Sequence, residues 1–143
     1  MTRVFTNGCY DIVHGGHIHT LRAAREMGDS LVVAINSDES VRRLKGESRP
    51  LVPLADRIAV LRELRMIDEV IPFWEDTPQK VIEALRPDVI VKGAEWYGKP
   101  VAGENIAELR LVENVSGFST TQMVAKIISL YKSGVIKEDG TSR

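Results

Sequence analysis

All three histidines of this 143-residue chain, His14, His17 and His19, fall within six consecutive positions. They belong to the run Asn7-Gly8-Cys9-Tyr10-Asp11-Ile12-Val13-His14-Gly15-Gly16-His17, which follows the apolar Val4-Phe5 and leads into a helical pattern. A strand that ends in a glycine-containing turn and then opens a helix leaves unpaired backbone N–H groups at the helix start. With the helix dipole, those donors suit a phosphate. Gly8, Gly15 and Gly16 let the backbone approach a ligand closely. His14 and His17 add side-chain donors that stabilise charge on a transferring phosphate without acting as nucleophiles. Two other readings stand beside this one. The histidines satisfy the backbone of a structural turn, or H-x-x-H-x-H supplies nitrogen ligands to zinc, with Cys9 an unconvincing fourth ligand inside the same tight turn.

The elements that must position these residues alternate along the chain. Residues 3–6 read as a strand and 16–28 as a helix with Ile18, Leu21, Ala24 and Met27 on one face. Leu31-Val32-Val33-Ala34-Ile35 is an uninterrupted apolar run, as a strand buried on both faces requires. Strand, helix and buried strand make a βαβ unit with a right-handed crossover. Asn36-Ser37-Asp38-Glu39-Ser40 ends that strand and caps a short helix to about Leu44, and a polar loop with Lys45, Gly46, Arg49 and Pro50 follows. Residues 54–66 read as a helix, with Leu54, Ile58, Leu61 and Leu64 inward, and 68–73 as a third strand. Thr77 is the expected N-cap of the next helix, with Pro78 in its first turn. Residues 88–93 read as a fourth strand, 94–103 as a loop and 108–113 as a fifth strand. Ser119 and Gln122 fit a capping box. Met123, Val124, Ile127, Ile128, Leu130 and Tyr131 then form the apolar face of the last helix. The length suits one domain, residues 1–134, followed by a loose tail at 135–143.

This order predicts an α/β fold with a doubly wound, five-stranded parallel sheet flanked by helices. In such sheets ligands sit beyond the carboxyl ends of the strands, where strand order reverses. His14 and His17 follow strand one, Lys45 and Arg49 strand two, Lys92 and Gly93 strand four, and Ser119, Thr120 and Thr121 strand five. Four polar clusters therefore converge on one edge. Two helix N-termini there hold different phosphates of one nucleotide. Lys45, Arg49 and Lys92 add cations for a polyphosphate and a phosphorylated second substrate, whereas Arg42 and Arg43 read as solvated charges.

A net charge of −1 gives no support to a nucleic-acid or membrane-surface partner. No apolar run reaches the length of a spanning helix, and the N-terminus lacks a signal-peptide core. One cysteine forms no internal disulfide, which fits a reducing cytoplasm. No general base is placed for Cys9, so it reads as a small residue lining the turn.

The run from Gly8 to His17 resembles the G-x-F-D-x-x-H-x-G-H signature of the cytidylyltransferase-like nucleotidyltransferases, with Tyr10 in the aromatic position. Five further stretches look like the bacterial heptose 1-phosphate adenylyltransferases. They are residues 35–46 followed by Arg49-Pro50, then Glu75-Asp76-Thr77-Pro78, Val91-Lys92-Gly93, Val101-Ala102-Gly103 and Gly117-Phe118-Ser119-Thr120-Thr121. The resemblance implies a single Rossmann-like domain, ATP as nucleotide, Mg2+ held mainly by nucleotide phosphates, and a homodimer. It also implies a role in lipopolysaccharide or other surface-glycan precursor synthesis. A sugar 1-phosphate would attack the α-phosphorus in line and release pyrophosphate. By motif, His14, His17 and Lys45 are catalytic. Thr6, Asn7, Gly8, Cys9, Tyr10, Lys92 and Gly93 line the nucleotide site, and Ser119, Thr120 and Thr121 take the β/γ end. Asp11, Lys45, Arg49, Arg57, Glu95 and Trp96 fall to the acceptor, with Arg57 alternatively structural.

Departures from the family patterns fall where the acceptor sugar is expected. The chain is several residues shorter after Gly103 and lacks a Gly-Gly turn before the last strand. Where cytidylyltransferases often carry an acidic dipeptide, it has Ala94-Glu95. No sugar kinase is fused to it, so such a kinase is expected to be a separate protein. Two functions compete with the adenylyltransferase: a cytidylyltransferase using CTP and a polyol phosphate such as glycerol 3-phosphate, and a nucleotide-binding module without catalysis. An aminoacyl-tRNA synthetase fragment is disfavoured, since no lysine-rich second signature is present.

Overall fold

The run Leu31-Val32-Val33-Ala34-Ile35 has no polar side to turn to water. In the computed structural model, which describes residues 1–115, 117 and 119–142, all five of its residues are buried within strand β2 (Ser30–Asn36). Strand β1 (Arg3–Gly8) lies on one side of it and β3 (Glu69–Phe73) on the other. Beyond β1 come β4 (Val89–Gly93) and β5 (Glu108–Val112), giving the order β3-β2-β1-β4-β5 with every pair parallel. This is the five-stranded α/β sheet that the alternation of elements predicts. The chain winds outward from β1 to β3, then returns to place β4 on β1's other side. Strand order therefore reverses at the β1/β4 crevice.

Side-chain alternation divides the core between the two faces of the sheet. Val4, Leu31, Val33 and Ile35 pack with Leu21 and Ala24 of α1 (Gly15–Glu26) and Leu61 of α3 (Leu54–Arg62). Phe5, Val32, Ala34, Phe73 and Ile90 pack with Ile82 of α4 (Gln79–Leu85) and Val101. Each such side chain contributes about 1.5–3 kcal/mol by leaving water. The remaining helices are α2 (Asp38–Lys45), a 3-10 turn at Ala94–Trp96, and α5 (Thr120–Lys132). Beyond α5 the chain makes a tight turn in which the Lys137 N–H donates to Thr141 O at 2.8 Å. Among the described residues no helix is long and apolar enough to cross a membrane.

The structure departs from the sequence expectations at three helices. Helix α3 stops at Arg62 instead of Met66, because the chain must turn back to feed β3. Asp68 closes that return, its N–H donating to Leu31 O and its carboxylate accepting from Leu31 N–H at 2.7 Å. Helix α4 begins one residue later than expected, with Pro78 at the cap position and the Thr77 hydroxyl accepting from Gln79 N–H at 3.4 Å. The apolar face of α5 does not enter the core. Met123, Ile127, Ile128 and Tyr131 stay exposed, for the helix follows edge strand β5 and no further strand covers it.

Arg57 requires a larger correction. The family motif assigns it to the acceptor substrate, with a structural role as the alternative, and the structure buries it to 1% exposure inside α3's inner face. Its Nε donates to Val52 O at 2.8 Å, and Nη1 to Cys9 O and Asn36 O at 2.7 and 2.8 Å. Nη2 meets Asp38 Oδ1 at 2.6 Å. Four of its five N–H groups are spent on protein acceptors and it does not line the cavity; it ties the loops that carry the site. A buried guanidinium is tolerable only when fully paired, and deleting it strands its acceptors. Arg57→Met is therefore expected to cost about 3–5 kcal/mol in urea unfolding; a loss below about 1 kcal/mol would contradict this role.

Candidate active site

Apart from Arg57, every residue assigned to a site from sequence lines one cavity of about 1040 Å3 at the carboxyl ends of the strands. Thr6, Asn7 and Gly8 come from the end of β1, Cys9, Tyr10 and Asp11 from the turn, and His14 and His17 from the start of α1. Lys45 ends α2, and Arg49 stands in the loop beyond it. Lys92, Gly93, Glu95 and Trp96 come from the end of β4 and the 3-10 turn, and Ser119, Thr120 and Thr121 from the start of α5. Phe118 of the last motif lies outside the described residues.

The two histidines hold each other's geometry. His14 is the N-cap of α1, and its Nδ1 accepts from Gly16 N–H at 3.1 Å. His17 Nδ1 accepts from His14 N–H at 3.2 Å. With Nδ1 an acceptor in both rings, each neutral imidazole carries its proton on Nε2. The ring centroids are 3.9 Å apart, and Tyr10 packs on His17 at 5.3 Å. Burial lowers both pKa values. For His17, desolvation and the neighbouring His14 push it down to about 4. The pair thus enters neutral solution as two uncharged donors at a helix N-terminus. His19 is exposed on α1, and among the described residues no group of three or more His, Cys, Asp or Glu side chains could hold a metal ion.

The turn between β1 and α1 is shaped by contacts behind the site. Tyr10 adopts φ 49°, in the left-handed region, with its ring buried against Gly8. A Cβ at Gly8 would stand 3.0 Å from that ring, so any larger residue there must push the ring aside. Burial raises the Tyr10 hydroxyl's pKa. It also raises that of the Cys9 thiol, against the pull of Lys45 and Arg57, so Cys9 remains a protonated wall residue. Asp11 spends its carboxylate on the polypeptide. It accepts from Leu51 N–H and Val52 N–H at 2.9 Å each and pairs with Arg49 at 3.7 Å. Its part in the acceptor site is to hold Arg49 and the loop behind Lys45.

On the opposite wall, Lys92 places its ammonium 4.7 Å from the Trp96 ring centroid. Burial draws its pKa down to about 8 against the countering charge of Glu95. Glu95 folds back over Gly93, where a Cβ would collide with its carboxylate, and accepts from Asn114 Nδ2 at 2.5 Å. At the fifth strand's exit, Ser119 Oγ accepts from Gln122 N–H at 3.0 Å and caps α5. The expected cap is present, and among the described residues the Gln122 side chain makes no return bond.

Sequence reasoning missed several lining residues, among them Ser48, Asp76, Thr77, Pro78, Asn114 and Val115. Asp76 and Thr77 stood in a family motif but were read only as the entry to a helix. No local signal separates a capping threonine from one that faces a ligand.

A family model described as cytidylyltransferase-like matches residues 5–138. The chain is 54% identical over 125 residues to the bifunctional protein HldE of Campylobacter curvus, and 50% identical over 125 residues to that of Helicobacter pylori strain J99. Each alignment covers 87% of this chain and only 27% of the relative's length. The crystal structure of a lipopolysaccharide core biosynthesis protein from Thermoplasma volcanium is similar at a TM-score of 0.64 and 29% identity, over 80% of this chain and 97% of that one.

The histidine geometry has a measurable consequence. Folding lowers the His17 pKa from 6.5 to about 4, so the unfolded chain binds this proton more readily between those values. Its contribution to stability is full above about pH 6.5 and is lost as pH falls toward 4. NMR titration of the ligand-free protein should place the His17 midpoint near 4 and that of His14 below 6.5. An ordinary midpoint for His17 would rule out the neutral, Nε2-protonated pair.

Proposed function

The chain belongs to the cytidylyltransferase-like family of nucleotidyltransferases, and on that premise we propose that it transfers AMP from MgATP to a sugar 1-phosphate, a heptose 1-phosphate first among them. The observation that carries this reading is a single cavity holding His14, His17, Lys45 and the capped start of α5. Two helix N-termini suit a triphosphate, and the cations of the loop after α2 suit a second phosphate beside it. The Lys45-Gly46-x-x-Arg49-Pro50 loop supports the sugar phosphate over glycerol phosphate as acceptor. The similarity to a lipopolysaccharide core biosynthesis protein of Thermoplasma volcanium supports a place in surface-glycan precursor synthesis.

In the reaction, an oxygen of the sugar phosphate forms a bond to the α-phosphorus of ATP while the bond to pyrophosphate breaks. The attacking phosphate is already anionic, so no covalent enzyme intermediate or strong base is needed. The enzyme's contribution is positioning and charge. His14 and His17 donate from Nε2 to the reacting phosphate as charge accumulates on its oxygens. Lys45 neutralises repulsion between the two substrates, and Ser119, Thr120 and Thr121 take the β/γ end. Lys92, gaining a polyphosphate partner, recovers its full charge on binding. The carboxylates of the cavity are held by amides, Asn114 or arginine and form no cage for a divalent ion. That supports magnesium arriving with the substrate, held mainly by its phosphates.

The exposed apolar face of α5 supports a homodimer in which a second copy covers Ile127 and Ile128. Small phosphorylated substrates and a single cysteine support a cytoplasmic setting.

Pyrophosphate release with each nucleoside triphosphate, magnesium and a panel of sugar and polyol phosphates tests the assignment. ATP with a sugar 1-phosphate should be turned over, and turnover with CTP alone would overturn the choice of base. His14→Ala and His17→Ala should each lower kcat by about 10²–10³-fold; unchanged turnover would remove them from catalysis. Sedimentation should give a dimer, and Ile127→Glu with Ile128→Glu should shift it to monomer. A monomeric wild type at micromolar concentration would overturn the dimer.

A further inference from the structure

The cations of the cavity explain how it holds phosphates, but Asp76 sits on the same wall and would repel them. Asp76 stands in the loop between β3 and α4, held by α2. Arg43 Nε donates to Asp76 Oδ1 at 2.8 Å, and Arg43 Nη2 donates to the Trp74 carbonyl. Ser40 Oγ donates to the Glu75 carbonyl at 2.8 Å. Three contacts from two residues of α2 thus fix the carboxylate relative to Lys45, which ends the same helix. The Asp76 side chain remains 65% exposed, with no described partner on its second oxygen. Thr77, the next residue along the cavity wall, adds a hydroxyl.

A rigidly held carboxylate beside a hydroxyl, at the cationic end of a phosphate site, suits neutral polyhydroxy chemistry. It accepts hydrogen bonds from vicinal hydroxyls and disfavours a second phosphate at that place. We propose that Asp76 and Thr77 read the hydroxyls of the acceptor sugar, with its phosphate beside Lys45 and its carbon skeleton directed toward the loop between β3 and α4. This rests on the sugar-phosphate reading above and adds to it the residues that choose among acceptors. Arg43 is a positioning residue here, aiming the carboxylate without touching the sugar.

Steady-state kinetics at saturating MgATP test the assignment. Wild type and Asp76→Asn are compared on the sugar 1-phosphate that wild type turns over best and on analogues of it lacking single hydroxyls. Asp76→Asn should raise KM for the full sugar at least about tenfold, leaving the KM for MgATP, the magnesium dependence and the thermal midpoint as in wild type. For one deoxy analogue the two proteins should have nearly equal KM, since the hydroxyl and the carboxylate then act as a coupled pair. Thr77→Val should weaken the full sugar in the same direction by less. The proposal is overturned if Asp76→Asn leaves acceptor KM unchanged, raises it equally for every analogue, or instead alters MgATP or magnesium dependence. Should wild type turn over no sugar phosphate, the functional reading itself fails and this inference falls with it. Normal wild-type turnover with an indifferent Asp76→Asn defeats the inference alone.

Discussion

The site depends on a buried positive charge that never meets a ligand. Arg57 gathers the carbonyl of Cys9 in the signature turn, the carbonyl of Asn36 at the end of β2, the carboxylate of Asp38 at the start of α2, and the carbonyl of Val52. The segments around Cys9, Asn36 to Asp38 and Val52 are separated in sequence, and the groups joined here are polar. A guanidinium presents donors in a fixed fork, so it sets angles between segments as well as distances. Asp11 extends the arrangement by capturing the amides of Leu51 and Val52. Lys45 and Arg49 stand opposite the histidines because this scaffold holds their helix and loop.

On that scaffold, charge is apportioned by burial. The histidine pair is stripped of charge by its surroundings and by mutual proximity, leaving directional donors where a full charge would bind ground state and transition state alike. Lys92 is partly desolvated, so its charge is most favoured when a polyphosphate is present. Each carboxylate on the wall has a protein partner before any substrate arrives. A cavity arranged in this way suits two phosphates close together without being a uniformly cationic basin.

Much of this was legible in the residues. The apolar run in β2 announced a central parallel strand, and the histidine-glycine run announced a strand-to-helix phosphate turn. Ser119 capping α5 was readable because a hydroxyl at that spacing serves the backbone three residues on. Arg57 is the instructive exception. Periodicity put Ile58 and Leu61 on the inner face of α3, and a charged neighbour reads as solvated or ligand-bound unless its acceptors are visible. Those acceptors come from backbone carbonyls, which carry no sequence signature. The face of α5 misled in the opposite sense, for amphipathicity states that a stripe will be covered but not by what.

Sequence by itself determined the order of elements, the direction of the sheet and the edge on which polar clusters gather. Each of these follows from local periodicity, turn chemistry and the handedness of parallel crossovers. Tertiary structure alone decided which side chains on that edge spend their hydrogen bonds on protein and which keep them for a ligand. That division sent Arg57 and Asp11 to the scaffold and brought Asp76 and Thr77 to the wall. The physical reason is that a polar group's role depends on its unfilled valences, and these are known only once distant backbone amides and carbonyls have taken their places.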